Sequence, residues 1–288
     1  MEHLTIDLPE DILFEILSAL DIVDFANLAK SSIAQKYILS KPRFLNHMAI
    51  VHGLPFSETT DQLLSYSKLT PQNLMVLVIE NEDIRVINRL IEHYGGWFSY
   101  DSVMILAAEG GHQSIVDDML SLGADNYRLT IASAAGGGHR SIIDKIIKVM
   151  IDSGYDHNKL VDGYNAALVD SARGGHQDIV NQMLDLGANN YEWALVSAAE
   201  GGYLDIVNQM LDLGRDSRRL WHLGRQAFDT YVMAMEEAAK RGYQNILNTL
   251  LVADEYTRRD YIRVMDAATE GGHHDIANQM SALIDRNT

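Results

Sequence analysis

The feature that most constrains the fold of this chain is an internal repeat. The stretch AAEGGHQSIVDDMLSLGADNY at 107–127 returns in altered form at 171–191 and again at 197–214. Alignment on the Gly-His or Gly-Tyr step gives six copies, spaced by about 27 residues plus insertions. Their aromatic anchors are His112, His139, His176, Tyr203, Tyr243 and His273. A unit of this length predicts a stack of similar elements, because each copy supplies part of its neighbour's core.

Each copy predicts two helices separated by a glycine turn. Apolar residues follow the anchor with the spacing of an amphipathic helix, and small pairs such as Ala107-Ala108 precede it, where they allow close helix packing. Residues 74–96 fit as a degenerate first unit. In the last unit, Ser281 takes the place of a leucine, as expected of a terminal cap. The predicted fold is all-α, a helix-turn-helix repeat solenoid of about seven units over 72–288.

The repeat resembles the ankyrin repeat. The Ala-Ala, Gly-His, Ile-Val and Leu-Gly-Ala steps fall in register, the last at 122–124 and 186–188. The family's T-P-L-H step does not occur, and the unit is about six residues shorter than the family's roughly 33. Because the missing residues form the family's β-hairpin, the resemblance implies short turns and almost no strand. It also implies that the anchor histidines tie neighbouring turns together by hydrogen bonds. Shortened units of this kind are similar to those common in large DNA viruses of protists, which implies a viral origin.

The segment ahead of the repeats carries a second resemblance. DLPEDILFEILSALDIVDFANLAK at 7–30 predicts amphipathic helices, with Asp7 as a cap and Pro9 in the first turn. Residues 1–48 resemble an F-box, although Asp11 and Phe25 replace the usual glutamate and leucine and the later tryptophan is missing. The resemblance implies docking on a Skp-type adaptor of a cullin–RING ubiquitin ligase through Leu8, Pro9, Ile12, Leu13, Ile16, Leu20 and Phe25. The alternative is that these helices only cap the first repeat. Residues 49–71 are interpreted as a connector.

Composition narrows the classes of partner. The net charge of -17 and the pI of about 4.9 predict no binding to nucleic acid or to anionic membranes. No apolar run has the length of a signal peptide or a membrane span, and with no cysteine the chain suits a reducing compartment. We therefore expect a cytoplasmic protein, in the host cytoplasm if the chain is viral.

No catalytic or metal-binding motif stands out, and the adjacent His273 and His274 face different ways on a helix. We expect no enzymatic activity and no cofactor.

The candidate target-binding residues lie where the repeats differ. A tyrosine recurs twelve residues before each anchor, at the predicted start of the first helix, and it serves either as a packing ladder or as a row of binding rings. The two residues after it vary, which makes Arg128, Glu192, Trp193 and Arg263 candidates. The insertion at 215–229 groups Arg218, Arg219 and Trp221, either as a binding hot spot or as a cover for the core. A second insertion lies at 152–165, after a helix expected to be one turn longer than its siblings.

These features together predict a protein–protein interaction adaptor. In the favoured interpretation, an F-box-like segment joins an ankyrin-like substrate receptor, and the chain recruits a target protein to a cullin–RING ubiquitin ligase. The protein would then contribute geometry by raising the target's effective concentration near the ligase. The alternative is a plain binding scaffold with a helical cap.

Overall fold

A computed structural model describes residues 71–79, 82, 84–220, 226–254 and 256–286, and among these it does not describe the side chains of 71, 73, 74, 77, 215–220, 226–228 and 286. The residues predicted to form the F-box-like segment and all but the last residue of the connector lie outside this part. Within it every regular element is a helix, and no strand occurs. The helices are α1 (Pro71–Ile79), α2 (Ile84–His93), α3 (Tyr100–Gly110), α4 (Gln113–Ser121), α5 (Tyr127–Gly136), α6 (Arg140–Asp152), α7 (His157–Gly174), α8 (Gln177–Asp185), α9 (Tyr191–Gly201), α10 (Leu204–Leu220), α11 (Gln226–Arg241), α12 (Gln244–Leu251), α13 (Arg258–Glu270) and α14 (His274–Arg286).

The chain divides into two compact units, of which the first ends at Asp125 and the second begins at Asn126. In the first unit, α1 contacts both α2 and α3, and α3 pairs with α4. The interior is formed by fully buried side chains that include Met75, Ile87, Leu90 and Met104. The predicted degenerate first unit is therefore a helix–turn–helix, like the copies that follow it.

The second unit is a row of helical hairpins. The first helices of successive repeats, α5, α7, α9, α11 and α13, contact one another in that order, and each also packs on its own second helix. The small pairs that were expected to allow this approach are fully buried, as Ala134-Ala135 and Ala198-Ala199 illustrate. Ser281, the polar residue of the last unit, is exposed. The predicted all-α, helix-turn-helix repeat architecture is confirmed.

The glycine turns interlock one repeat with the next. Gly138 has φ +81°, in the left-handed region that favours glycine, and a Cβ there would lie 2.6 Å from Cε1 of His176. The anchor ring of one repeat thus lies against the turn of the preceding repeat. His176 Nε2 also donates a hydrogen bond of 2.9 Å to the carbonyl oxygen of Gly136. The expectation that an anchor histidine ties neighbouring turns is met at this position.

The insertion at 152–165 is largely helical. As predicted, α6 is about one turn longer than α4 and α8, with 13 residues against 9, but α14 also has 13 residues and α10 has 17. Most of the remaining residues extend α7 to 18 residues, because Asp156 Oδ1 accepts a hydrogen bond from Lys159 N at 2.9 Å and caps an earlier helix start. None of the described helices is both long and apolar enough to cross a membrane.

Candidate functional site

The surface that presents variable residues is formed by the first helices of the second unit. We call the first-helix face the set of residues two positions after each repeated tyrosine: Leu129, Ala166, Trp193, Met233 and Arg263. Trp193 is 50% exposed and Leu129 is 42% exposed, whereas Ala166 and Met233 are half-buried. Half of the Trp193 side chain is open to water and can contact another molecule. Trp193 therefore remains a candidate binding residue.

Two predicted binding residues are engaged in ion pairs between repeats. Arg128 Nε lies 2.7 Å from Asp162 Oδ2. Arg263 makes a two-pronged pair with Glu236, with Nε 2.7 Å from Oε1 and NH2 2.9 Å from Oε2. These hydrogen bonds to Glu236 raise the pKa of Arg263. Arg263 therefore links α11 to α13, and its planar fork matches this role better than a lysine would.

The ion pairs continue along the turn ends of the first helices. Glu200 accepts hydrogen bonds from Arg173 of the preceding repeat, at 3.1 Å, and from Arg241 of the following one, at 2.8 Å. Burial raises the pKa of the Asp170 carboxyl, and its hydrogen bond with Arg173 offsets this only in part. The residue before the glycine pair differs between repeats, and at Arg173 and Glu200 it provides complementary charge across the repeat boundary.

The residue directly after the tyrosine also has a structural role in two repeats. Asn165 Oδ1 accepts hydrogen bonds from Asn189 N at 2.7 Å and from Asn190 N at 3.0 Å. In the first unit, Asp101 Oδ1 accepts one from Asp125 N at 2.8 Å. Each side chain thus holds the loop that leads to the next repeat. At Asp101 and Asn165, loop N–H groups therefore use the side-chain oxygens, which gives this position a structural role.

Two of the six repeated tyrosines, Tyr164 and Tyr231, favour the packing interpretation, whereas Tyr100 is 38% exposed. Tyr164 and Tyr231 are each only 5% exposed. The ring of Tyr127 packs against Tyr155, with centroids 5.7 Å apart, and burial raises the pKa of the Tyr164 hydroxyl. The tyrosine opens the helix in α3, α5 and α9, but not in α7, α11 and α13, where the helix begins earlier in the chain. The expectation of a helix start is wrong in those three repeats, because helical residues precede the tyrosine.

Glu192 is half-buried and belongs to a small pocket between α9 and α11. The pocket is also lined by Tyr191, Leu195, Met210, Gly214, Thr230 and Tyr231. Its volume of about 10 Å³ is that of a single water molecule, so it cannot hold an organic ligand.

The other sequence-predicted residues lie outside the described part of the chain. These are the adaptor-binding set Leu8, Pro9, Ile12, Leu13, Ile16, Leu20 and Phe25, together with Trp221 and the side chains of Arg218 and Arg219. Among the described side chains, no group of three or more His, Asp or Glu residues has the arrangement of a metal site.

Sequence reasoning missed an open groove between α11 and α13. The groove has a volume of about 380 Å³ and is lined by Glu236, Glu237, Lys240, Arg263, Asp266, Ala267 and Glu270. Lys240 Nζ lies 2.7 Å from Glu270 Oε1, and this hydrogen bond raises the pKa of Lys240. The sequence does contain a signal for it, since the positions five and nine residues after the tyrosine are acidic or basic in both of the last two repeats. In the repeat that contains Trp193, the first of these positions holds Val196.

Comparison with known proteins does not assign this chain to a family. No family model matches the chain, and no curated protein matches it significantly.

Proposed function

We propose that this protein is an adaptor for protein–protein interaction. In this role the F-box-like segment binds a Skp-type component of a cullin–RING ligase, and the repeats hold the protein to be ubiquitinated. The observation that carries the proposal is the exposed Trp193 on a repeat face, in the same chain as the Leu8-Pro9 start of the F-box-like segment. The role is non-catalytic, because the chain would act by bringing two proteins together.

The repeat architecture supports the binding half of this proposal. The described core residues come from within and between the hairpins, so exposed side chains of the first-helix face such as Leu129 and Trp193 can change without loss of the fold. An aromatic residue that is half-exposed on such a surface is the type of side chain that most often dominates an interface. The strongly acidic composition argues against nucleic acid as the partner.

The ligase half is tested by gel filtration of the full chain with a purified eukaryotic Skp-type adaptor. We expect the wild-type protein to co-elute, since three or four buried apolar side chains would each contribute roughly 1.5–3 kcal/mol before the costs of association. The triple variant Leu8→Ala, Pro9→Ala, Ile12→Ala should elute alone, with an unchanged melting temperature. Trp193→Ala serves as the control and should still co-elute.

Two other outcomes would change the assignment. If no complex forms at micromolar concentrations, the chain is a binding scaffold without a ligase connection. If the triple variant melts at a markedly lower temperature, the N-terminal helices are needed for stability, which favours a cap on the first repeat.

A further inference from the structure

The first-helix face presents large apolar side chains to solvent. Leu129 and Trp193 are large and exposed, and Ala166 occupies the same position in the repeat between them. Because α5, α7 and α9 pack side by side, these three residues are neighbours across adjacent helices about 8–10 Å apart. An apolar side chain from another molecule can pack against the exposed surface of Trp193 or Leu129.

The charge beside this surface indicates which kind of molecule would bind. The groove between α11 and α13 is lined by four carboxylates and two cations. Arg263 is held by Glu236 and Lys240 by Glu270, so both cations are neutralised within the groove. Glu237 Oε2 lies 3.5 Å from Arg241 Nε, so Asp266 is the lining carboxylate left to give the groove a net negative charge. The chain as a whole, at -17, also attracts basic molecules over longer distances.

We propose that the first-helix face binds a basic segment of a partner protein, with an apolar side chain against Trp193 and lysine or arginine side chains in the groove between α11 and α13. This inference rests on the proposed protein-binding function and names the chemistry of the target. An acidic peptide would be repelled, and a nucleic acid would be repelled by the same charge.

The geometry also specifies the spacing within that segment. Trp193 lies on α9, and the groove begins one helix further along the row, between α11 and α13. One and a half helix spacings correspond to about 12–15 Å, which an extended chain covers in about four or five residues. The bound segment therefore has its apolar residue about four or five positions away from its basic residues, in either chain direction.

The test is selection from a displayed library of random peptides of about twelve residues, with the full chain as bait. Enriched sequences are expected to combine one large apolar residue with at least two lysines or arginines at this spacing. Synthetic versions should bind at least about tenfold more weakly to Trp193→Ala, because the apolar anchor loses its contact. The variant Asp266→Asn should weaken binding about threefold and reduce its dependence on salt. The control Val252→Ala, which alters an apolar residue 83% exposed at the end of α12, should bind normally.

Several results would overturn the proposal. These are failure to enrich any sequence, enrichment of acidic or uncharged sequences, and binding that needs the lysines but is unchanged in Trp193→Ala. The last would mean unspecific attraction to an acidic protein. A dimer that dissociates on Trp193→Ala would show instead that the face binds a second copy of the chain. In each case, co-elution with the Skp-type adaptor is measured separately, so the ligase assignment stands or falls on its own.

Discussion

Gly138 connects local backbone geometry with contact between repeats. Its φ of +81° places it in the left-handed region, where a Cβ costs about 1–2 kcal/mol. A Cβ at this position would in addition meet the ring of His176, which donates a hydrogen bond to the preceding turn. Sequence comparison between the copies predicts the glycine turn, but it does not predict that the next repeat's ring rests on it.

Gly138→Ala is expected to lower the free energy of unfolding by about 2–3 kcal/mol, through left-handed strain plus the displaced His176 ring and its hydrogen bond. The matched control is Gly154→Ala, because Gly154 has φ +76° but no atom lies within 4 Å of a Cβ built there. That control should lose only about 1–2 kcal/mol. Urea unfolding followed by circular dichroism measures both variants. Equal losses would mean that the ring contributes nothing to the interlock.

At the scale of helices and loops, the repeat pattern predicts much of the fold. The hairpins, the buried alanine pairs and the longer α6 follow from the spacing of apolar residues, since amphipathic periodicity directly reflects which face is buried. The pattern does not predict the extension of α7, because an Asp156 cap and a polar helical turn look like any solvent-exposed loop. Nor does it predict the loop-holding role of Asn165, since a side chain that varies between copies can bond to a loop just as well as to a partner.

Asn165 gives a test of this loop-holding role. Asn165→Ala should lower the free energy of unfolding by about 1–2 kcal/mol, because the N–H groups of Asn189 and Asn190 lose their acceptor and only water replaces it. Asn165→Asp keeps the acceptor oxygen, as Asp101 does at the same position in the first unit, and should retain most of the stability. Chemical denaturation compares the two variants. If aspartate destabilises as much as alanine, the acceptor oxygen is not the contributing group.

At the scale of the whole molecule, the candidate site could be predicted only in part. Trp193 was identified because it varies in an otherwise constant frame, and it is exposed. Arg128 and Arg263 were identified by the same reasoning, yet both pair with carboxylates of the next or the preceding repeat. Residues that vary for recognition and residues that vary together across a repeat boundary look alike in one sequence. Only the stacking of the helices separates them.

Two electrostatic effects of opposite sign act on stability at this scale. The net charge of -17 repels itself and opposes folding into a compact state. The ion pairs between repeats favour folding, but those of Arg128, Arg173 and Arg241 lie on half-exposed side chains. Such pairs contribute only about 0–1 kcal/mol each and are screened by salt. The repulsion is therefore expected to be the larger effect.

It follows that salt should stabilise this protein. Raising sodium chloride from about 20 to 200 mM shortens the range of the repulsion, and we expect the melting temperature to rise by roughly 2–4 °C. Calorimetry at fixed pH measures this shift, and the low concentration range keeps salting-out effects small. A fall in melting temperature would mean that the ion pairs between repeats outweigh the repulsion. In that event, Glu200→Gln, which removes the carboxylate shared by Arg173 and Arg241, should abolish part of the salt dependence.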